Sequence, residues 1–185
     1  MPGGRRTFRK NSGSTCRSIE SSSEWIVARS GIRNRRFASA EESLIAMCEA
    51  AGAAALDDAG VSPGQVDAVL VASMSYRLIT PSLAAQVGAR LRLPAPAALD
   101  IGAACSGFCY GLGLAGDLVR TGSAGRVLLI GAERMTDIVD PADRSTAFLF
   151  ADGAGAAVIG PADTPEIGPV AWGSDGSPRP VLLPG

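Results

Sequence analysis

Residues 100–108 read DIGAACSGF, and this stretch decides the fold. Residues 97–101 read as a short strand, then small residues make a bend and Cys105 falls where the next helix begins. That helix is rich in Gly and Ala, extends to about Thr121 and is stopped by Gly122. A cysteine at a strand-to-helix bend is chemically suggestive. Unpaired amide N–H groups and the positive end of the helix dipole favour thiolate over thiol. The flanking Ala and Gly leave room for a bulky substrate, and nearby N–H groups are placed to stabilise an oxyanion. Against this stands the ordinary behaviour of free cysteine, which is a small buried apolar residue.

Working outward, strands and helices alternate. Upstream, 41–59 (EESLIAMCEAAGAAALDDA) predicts a helix with Glu41 and Glu42 in its first turn and Gly60 past its end. Residues 66–74 (VDAVLVASM) predict a strand buried on both faces. Thr80 and Pro81 suit an N-cap and first helical position for a helix through about Leu91. Serines at 21–23 suit the N-cap of a short helix over 24–29, ended by Gly31. Downstream, 126–132 (RVLLIGA) predicts a second buried strand, with shorter ones at 147–151, 155–159 and 167–172. Residues 152–155 (DGAG) fit neither a Walker A nor a dinucleotide fingerprint and read as a tight turn. The alternation indicates an α/β fold: a mixed, mostly parallel sheet with helices on both faces and an antiparallel edge.

Composition narrows the function classes. Of 185 residues 46% are hydrophobic and 19% charged, with mean hydropathy +0.21, enough apolar material for a core. Residues 1–17 carry five basic residues and no acid, leaving 12 basic against 18 acidic over the rest. Residues 1–20 therefore read as a disordered basic tail ahead of one domain, 21–185. An acidic domain without a recognisable motif argues against nucleic acid. No apolar run approaches the roughly 18 residues of a membrane span. The start lacks the apolar core of a secretory signal, so a soluble, cytoplasmic setting is expected. Four cysteines do not suggest a disulfide framework. With no histidine, a Cys/His zinc site is excluded, and so is the usual general base. No metal and no cofactor are expected. Cys48 and Cys109 read as core residues, and Cys16 as an exposed thiol in the tail.

With its surroundings, the cysteine motif resembles the β-ketoacyl-acyl-carrier-protein synthase III family of thiolase-like condensing enzymes. Five stretches carry the resemblance in order: 23–36 (SEWIVARSGIRNRR), Thr80-Pro81-Ser82, 100–108, 140–150 (DPADRSTAFLF) and 151–157 (ADGAGAA). The resemblance implies the N-terminal half of the thiolase-like fold over 21–185, the second half being absent. It implies that Cys105 accepts an acyl group from acyl-CoA before decarboxylative condensation with malonyl-acyl-carrier protein. Trp25 and Arg29 match positions that hold the adenine end of CoA, and Ser21 and Arg144 match further nucleotide contacts. It also implies a homodimer joined through the 97–101 strand. The family completes its site with a histidine and an asparagine from the second half. Here there is no histidine, and the asparagines are Asn11 and Asn34, neither in a matching place. The expectation is a truncated chain that cannot condense unaided. The alternatives are an acyl-shuttling or starter-unit relative in secondary metabolism, and a non-catalytic half that complements another chain.

Overall fold

Ala68–Ala72 (β1) is buried at every position, and that fixes the centre of the architecture. A computed structural model describes residues 21–143, 145–164 and 166–175. The predicted tail at 1–20 lies outside them, with Cys16, and so does Arg144. The described chain forms two units: 21–43 with 134–153, and 44–133 with 154–175.

The larger unit is built on a sheet of order β2-β1-β3-β4, with β2 at Ala97–Ile101, β3 at Val127–Arg134 and β4 at Asp152–Ile159. Both neighbours of β1 run parallel to it. Ala72 stands opposite Ile101 on one side and Gly131 on the other. Because strand side chains alternate between faces, the central strands feed two cores. Val69, Val71, Leu128 and Ile130 join Leu44, Cys48, Leu56, Leu83 and Val87 from α2 (Leu44–Asp58) and α3 (Leu83–Arg90). Ala68, Leu70, Val127 and Leu129 join Ala115 of α4 (Gly107–Arg120) on the other face. The predicted α/β layering and parallel sheet are therefore present.

Helix α4 lies very close to the sheet because its inner positions lack side chains. A Cβ on Gly111 would stand 2.5 Å from Leu129 Cδ1, and one on Gly107 would stand 3.2 Å from Ala72 Cβ. On another side of the helix, Val170 packs against Gly113 and Ile167 against Gly116.

The smaller unit contains α1 (Ser23–Ser30). Ser22 accepts from Trp25 N at its start, and Gly31 closes it in the left-handed conformation, φ 71°. Asp152 fastens this unit. Its carboxylate accepts from Ala38 N, Thr136 N and Thr136 Oγ1 at 2.8–3.0 Å, and its own N–H donates to Arg36 O.

Several local expectations need correction. Helix α2 starts at Leu44, because 39–43 form a turn in which Glu42 accepts from Ser39 N at 2.8 Å. Helix α3 is capped by Ser82, not Thr80. Ser82 Oγ accepts from Ala85 N, while the Asp100 carboxylate takes Leu83 N and Ala84 N, so the acceptors lie two residues further on. Residues 147–151 are not a strand. Ala147 N and Leu149 N bond back to Asp143 O and Thr146 O as turns. Residues 167–172 have no regular structure, their side chains being spent on the glycines of α4. The predicted turn at 152–155 is the start of β4 itself.

Candidate active site

The C-terminal ends of β1, β2 and β3 lie side by side, which is where parallel α/β sheets place their ligands. From β2 the chain passes Gly102 and Ala103 into a 3-10 turn, Ala104–Ser106, which runs directly into α4. Ala104 has φ 44°, a conformation costing an L-residue about 1–2 kcal/mol. That bend presents the next residue, Cys105, on the surface. The helix behind it is pinned in depth by the contacts of Gly107 with Ala72 and of Gly111 with Leu129. Phe108 lies over Gly131, where a Cβ would be 3.0 Å from its ring. Cys105 therefore sits at the head of a helix that has little freedom to slide.

The other two described thiols differ from each other. Cys48 is fully buried under the sheet ends, and its thiol is pushed up to about 12, first by burial and then by the carboxylates of Asp100 and Glu133. It is a core residue, as read from the sequence. Cys109 is not: it is exposed. The residues of α4 that are buried against the sheet include Gly107, Gly111 and Ala115, and Cys109, two positions on from Gly107, points about 200° away.

The residues proposed for CoA lie in the smaller unit. Arg29 Cζ stands 4.3 Å from the centroid of the half-buried Trp25 indole, a cation–π pair. Trp25 also meets Phe148 edge-to-face, centroids 5.5 Å apart. One turn of helix thus joins a fixed aromatic surface to an exposed cation. Ser21 is half-buried, and its hydroxyl has no hydrogen-bond partner among the described residues. Arg35, by contrast, is committed: its guanidinium donates to Leu149 O, and burial holds its pKa below the usual arginine range.

Sequence reasoning missed two carboxylates. Glu133, just past the buried part of β3, accepts from Met74 N at 2.9 Å, Ser75 N at 3.0 Å and Ser75 Oγ at 2.6 Å. Asp100, on β2, caps α3 through two bonds of 2.7 Å. The available signal was an acidic residue at the end of an otherwise apolar strand, where a charge needs a specific partner.

The sheet, with β1 parallel to both its neighbours and an exposed cysteine on the bend after β2, has the fold of the thiolase-like class, as its likeness to solved condensing enzymes shows. Residues 99–176 match the model of the family described as 3-Oxoacyl-[acyl-carrier-protein (ACP)] synthase III. A β-ketoacyl-[acyl-carrier-protein] synthase III of Kocuria rhizophila is 48% identical over 162 residues, 88% of this chain and 46% of that protein. Synthase III 1 of Streptomyces avermitilis is 50% identical over 85% of this chain and 44% of its own length. Among solved structures, the priming β-ketosynthase from the R1128 polyketide biosynthetic pathway superposes with TM-score 0.84 at 47% identity, covering 85% of this chain and 47% of that one. The chain belongs to the β-ketoacyl-acyl-carrier-protein synthase III family, and it spans about half the length of the curated relatives it matches.

Proposed function

We propose that this chain is the acyl-accepting part, the N-terminal half of the fold, of a β-ketoacyl-acyl-carrier-protein synthase III-type acyltransferase. The Cys105 thiolate attacks the carbonyl carbon of an acyl-CoA. The tetrahedral intermediate collapses with expulsion of CoA thiolate, which takes up a proton, and the acyl group remains as a thioester on Sγ. In the intact family reaction the acyl-enzyme then condenses with malonyl-carrier protein, releasing carbon dioxide and the cysteine. The observation that carries the reading is the exposed Cys105 at the head of α4, inside the motif shared with the family. Trp25 and Arg29 offer the stacking surface and cation that suit an adenine nucleotide, with Ser21 and Arg144 as further contacts.

The chain contains no histidine, and its asparagines are Asn11 and Asn34. We therefore expect these 185 residues by themselves to halt at the acyl-enzyme, because none of them supplies the decarboxylating groups. A homodimer through the exposed β2 edge and a cytoplasmic setting belong to the same proposal. Among the described residues no helix is long and apolar enough to cross a membrane. A second reading, starter-unit condensation in polyketide formation, is favoured by the likeness to the R1128 priming enzyme.

The test is intact mass after incubation with short acyl-CoAs, beside a Cys105→Ala control. A mass increase equal to the acyl group, lost in the control, supports the reading. An increase that survives in the control, or none from a folded chain, defeats it. Ketoacyl product on adding malonyl-carrier protein alone would defeat the expected arrest at the acyl-enzyme.

A further inference from the structure

The smaller unit is held together by bonds between segments far apart in sequence more than by its secondary structure. Its α-helix, α1, has eight residues, too few to be stable alone. The stretch 32–39 that follows α1 has no helix or strand, and neither has 145–150, which carries Phe148. Yet residues 35, 36, 38 and 39 are each tied to the other segment of the unit. The Arg35 guanidinium donates to Leu149 O. Arg36 O accepts from Asp152 N at 3.0 Å. The Asp152 carboxylate accepts from Ala38 N at 2.8 Å, and also from Thr136 N at 3.0 Å and Thr136 Oγ1 at 2.8 Å. Ser39 O accepts from Arg134 Nη2 at 3.1 Å.

Both sides of this frame bear on Trp25. On one side, 32–39 leaves directly from Gly31, the cap that closes α1. On the other, Leu149 is next to Phe148, whose buried ring meets the Trp25 indole edge-to-face. The half-buried Arg35 thus joins the stretch that ends α1 to the stretch that backs its indole. We propose that Arg35 and Asp152 are positioning residues for nucleotide binding, holding α1 against Phe148 so that the Trp25 indole and the Arg29 guanidinium are set in place before the ligand arrives. A surface ordered in advance binds more tightly than one that the ligand must order. This rests on the reading of Trp25 and Arg29 as the CoA-binding pair. Neither Arg35 nor Asp152 is assigned a contact with CoA or a part in the chemistry at Cys105.

The expected loss is confined to substrates that carry the nucleotide. Cys105 acylation is followed by intact mass at rising concentrations of an acyl-CoA, and of the same acyl group on N-acetylcysteamine, a thioester without the nucleotide. Full-length chains carrying Arg35→Met, Asp152→Asn or Thr136→Val are compared with the parent at matched fraction folded. The control for stability is Asp67→Asn in the larger unit, where Asp67 accepts from Gly125 N at 2.7 Å and Arg126 N at 3.0 Å. Losing a bond that involves a charged group should raise the half-saturating acyl-CoA concentration about tenfold in Arg35→Met and Asp152→Asn, with the maximal rate unchanged. The N-acetylcysteamine thioester should react as it does with the parent. Arg35→Lys, which can still donate to Leu149 O, should recover most of the loss. Thr136→Val removes one donor from Asp152, should move the same readout by less, and covers the case in which the other variants do not fold. An equal loss with both thioesters overturns the proposal, as does a loss no greater than in Asp67→Asn. Calorimetry with CoA separates this proposal from the reading beneath it. Binding weakened by Arg29→Met but not by Arg35→Met or Asp152→Asn overturns the positioning role alone. Binding that Arg29→Met leaves unchanged takes the nucleotide away from Trp25 and Arg29, and the proposal falls with it. A parent chain that takes up no acyl group removes the role of Cys105, and calorimetry then decides on Arg35 and Asp152.

Discussion

Replacing Gly111 by alanine tests whether helix α4 is seated as closely as its glycines suggest. In an unconstrained helix the change should stabilise, because alanine is better than glycine by about 0.8–1.0 kcal/mol. At position 111 the new methyl would stand 2.5 Å from Leu129 Cδ1 and 3.2 Å from Ile101 Cδ1. Leu129 is fully buried between the sheet and α4, so it cannot swing away into solvent. Overpacking of this kind costs about 1–3 kcal/mol. The net expectation is a loss between about 0 and 2 kcal/mol. Gly116 supplies the comparison within the same helix. There a methyl would meet Ile167 at 3.6 Å, an ordinary contact, so Gly116→Ala should stabilise by nearly the full propensity gain. The gap between the two variants therefore isolates packing at about 1–3 kcal/mol. For a chain of this size that corresponds to roughly 2–12 °C in melting temperature. Thermal and urea unfolding would measure it. The alkylation rate of Cys105 by iodoacetamide would report whether α4 has been pushed outward. If Gly111→Ala is as stable as Gly116→Ala, the close seating of α4 does not constrain the site, and the account of how Cys105 is held is wrong.

Three other perturbations probe separate parts of the molecule. Cys48 has a raised pKa in the folded state, so both states keep the proton below the ordinary thiol value near 8.5. Above it the unfolded chain ionises first, and stability should fall by up to about 1.4 kcal/mol per pH unit until the folded thiol titrates near 12. Urea midpoints from pH 8 to 10.5 should decline more steeply in the parent than in Cys48→Ala, and parallel curves would contradict this. Gly31→Ala puts a side chain at φ 71° in open space, so it should cost about 1 kcal/mol through the backbone alone, read as a lower unfolding midpoint. No loss would mean that α1 ends differently. Arg29→Met removes the cation over Trp25, and CoA affinity measured by Trp25 fluorescence should weaken about three- to tenfold. Unchanged affinity would take the nucleotide away from this pair.

The parts of the fold legible in the sequence are those where one segment declares itself. The all-buried β1 follows from an unbroken apolar run, and Ala97–Ile101 coincides with the predicted strand to the residue. The elements misread are those decided by partners distant in sequence. Thr80-Pro81 looks like a helix start, but the acceptor that places the start at Leu83 is Asp100, seventeen residues away. Residues 167–172 have the composition of a strand, yet Val170 and Ile167 fill the space left by Gly113 and Gly116. Local propensity carries no record of either relation.

The site was legible to a different degree at each residue, for the same reason. Cys105 is marked by its own neighbours, since small residues before it and glycine after it are what a bend into a closely packed helix requires. Cys109 misled because an apolar helix suggests burial all round, whereas the glycines at 107 and 111 restrict the sheet contact to one narrow stripe. Glu133 and Asp100 left no mark beyond a charge at the end of an apolar strand. Their importance lies in how many backbone donors they gather, and that is a property of the assembled sheet. Cys105 could thus be singled out from sequence, because the bend that exposes it is a local property of the backbone.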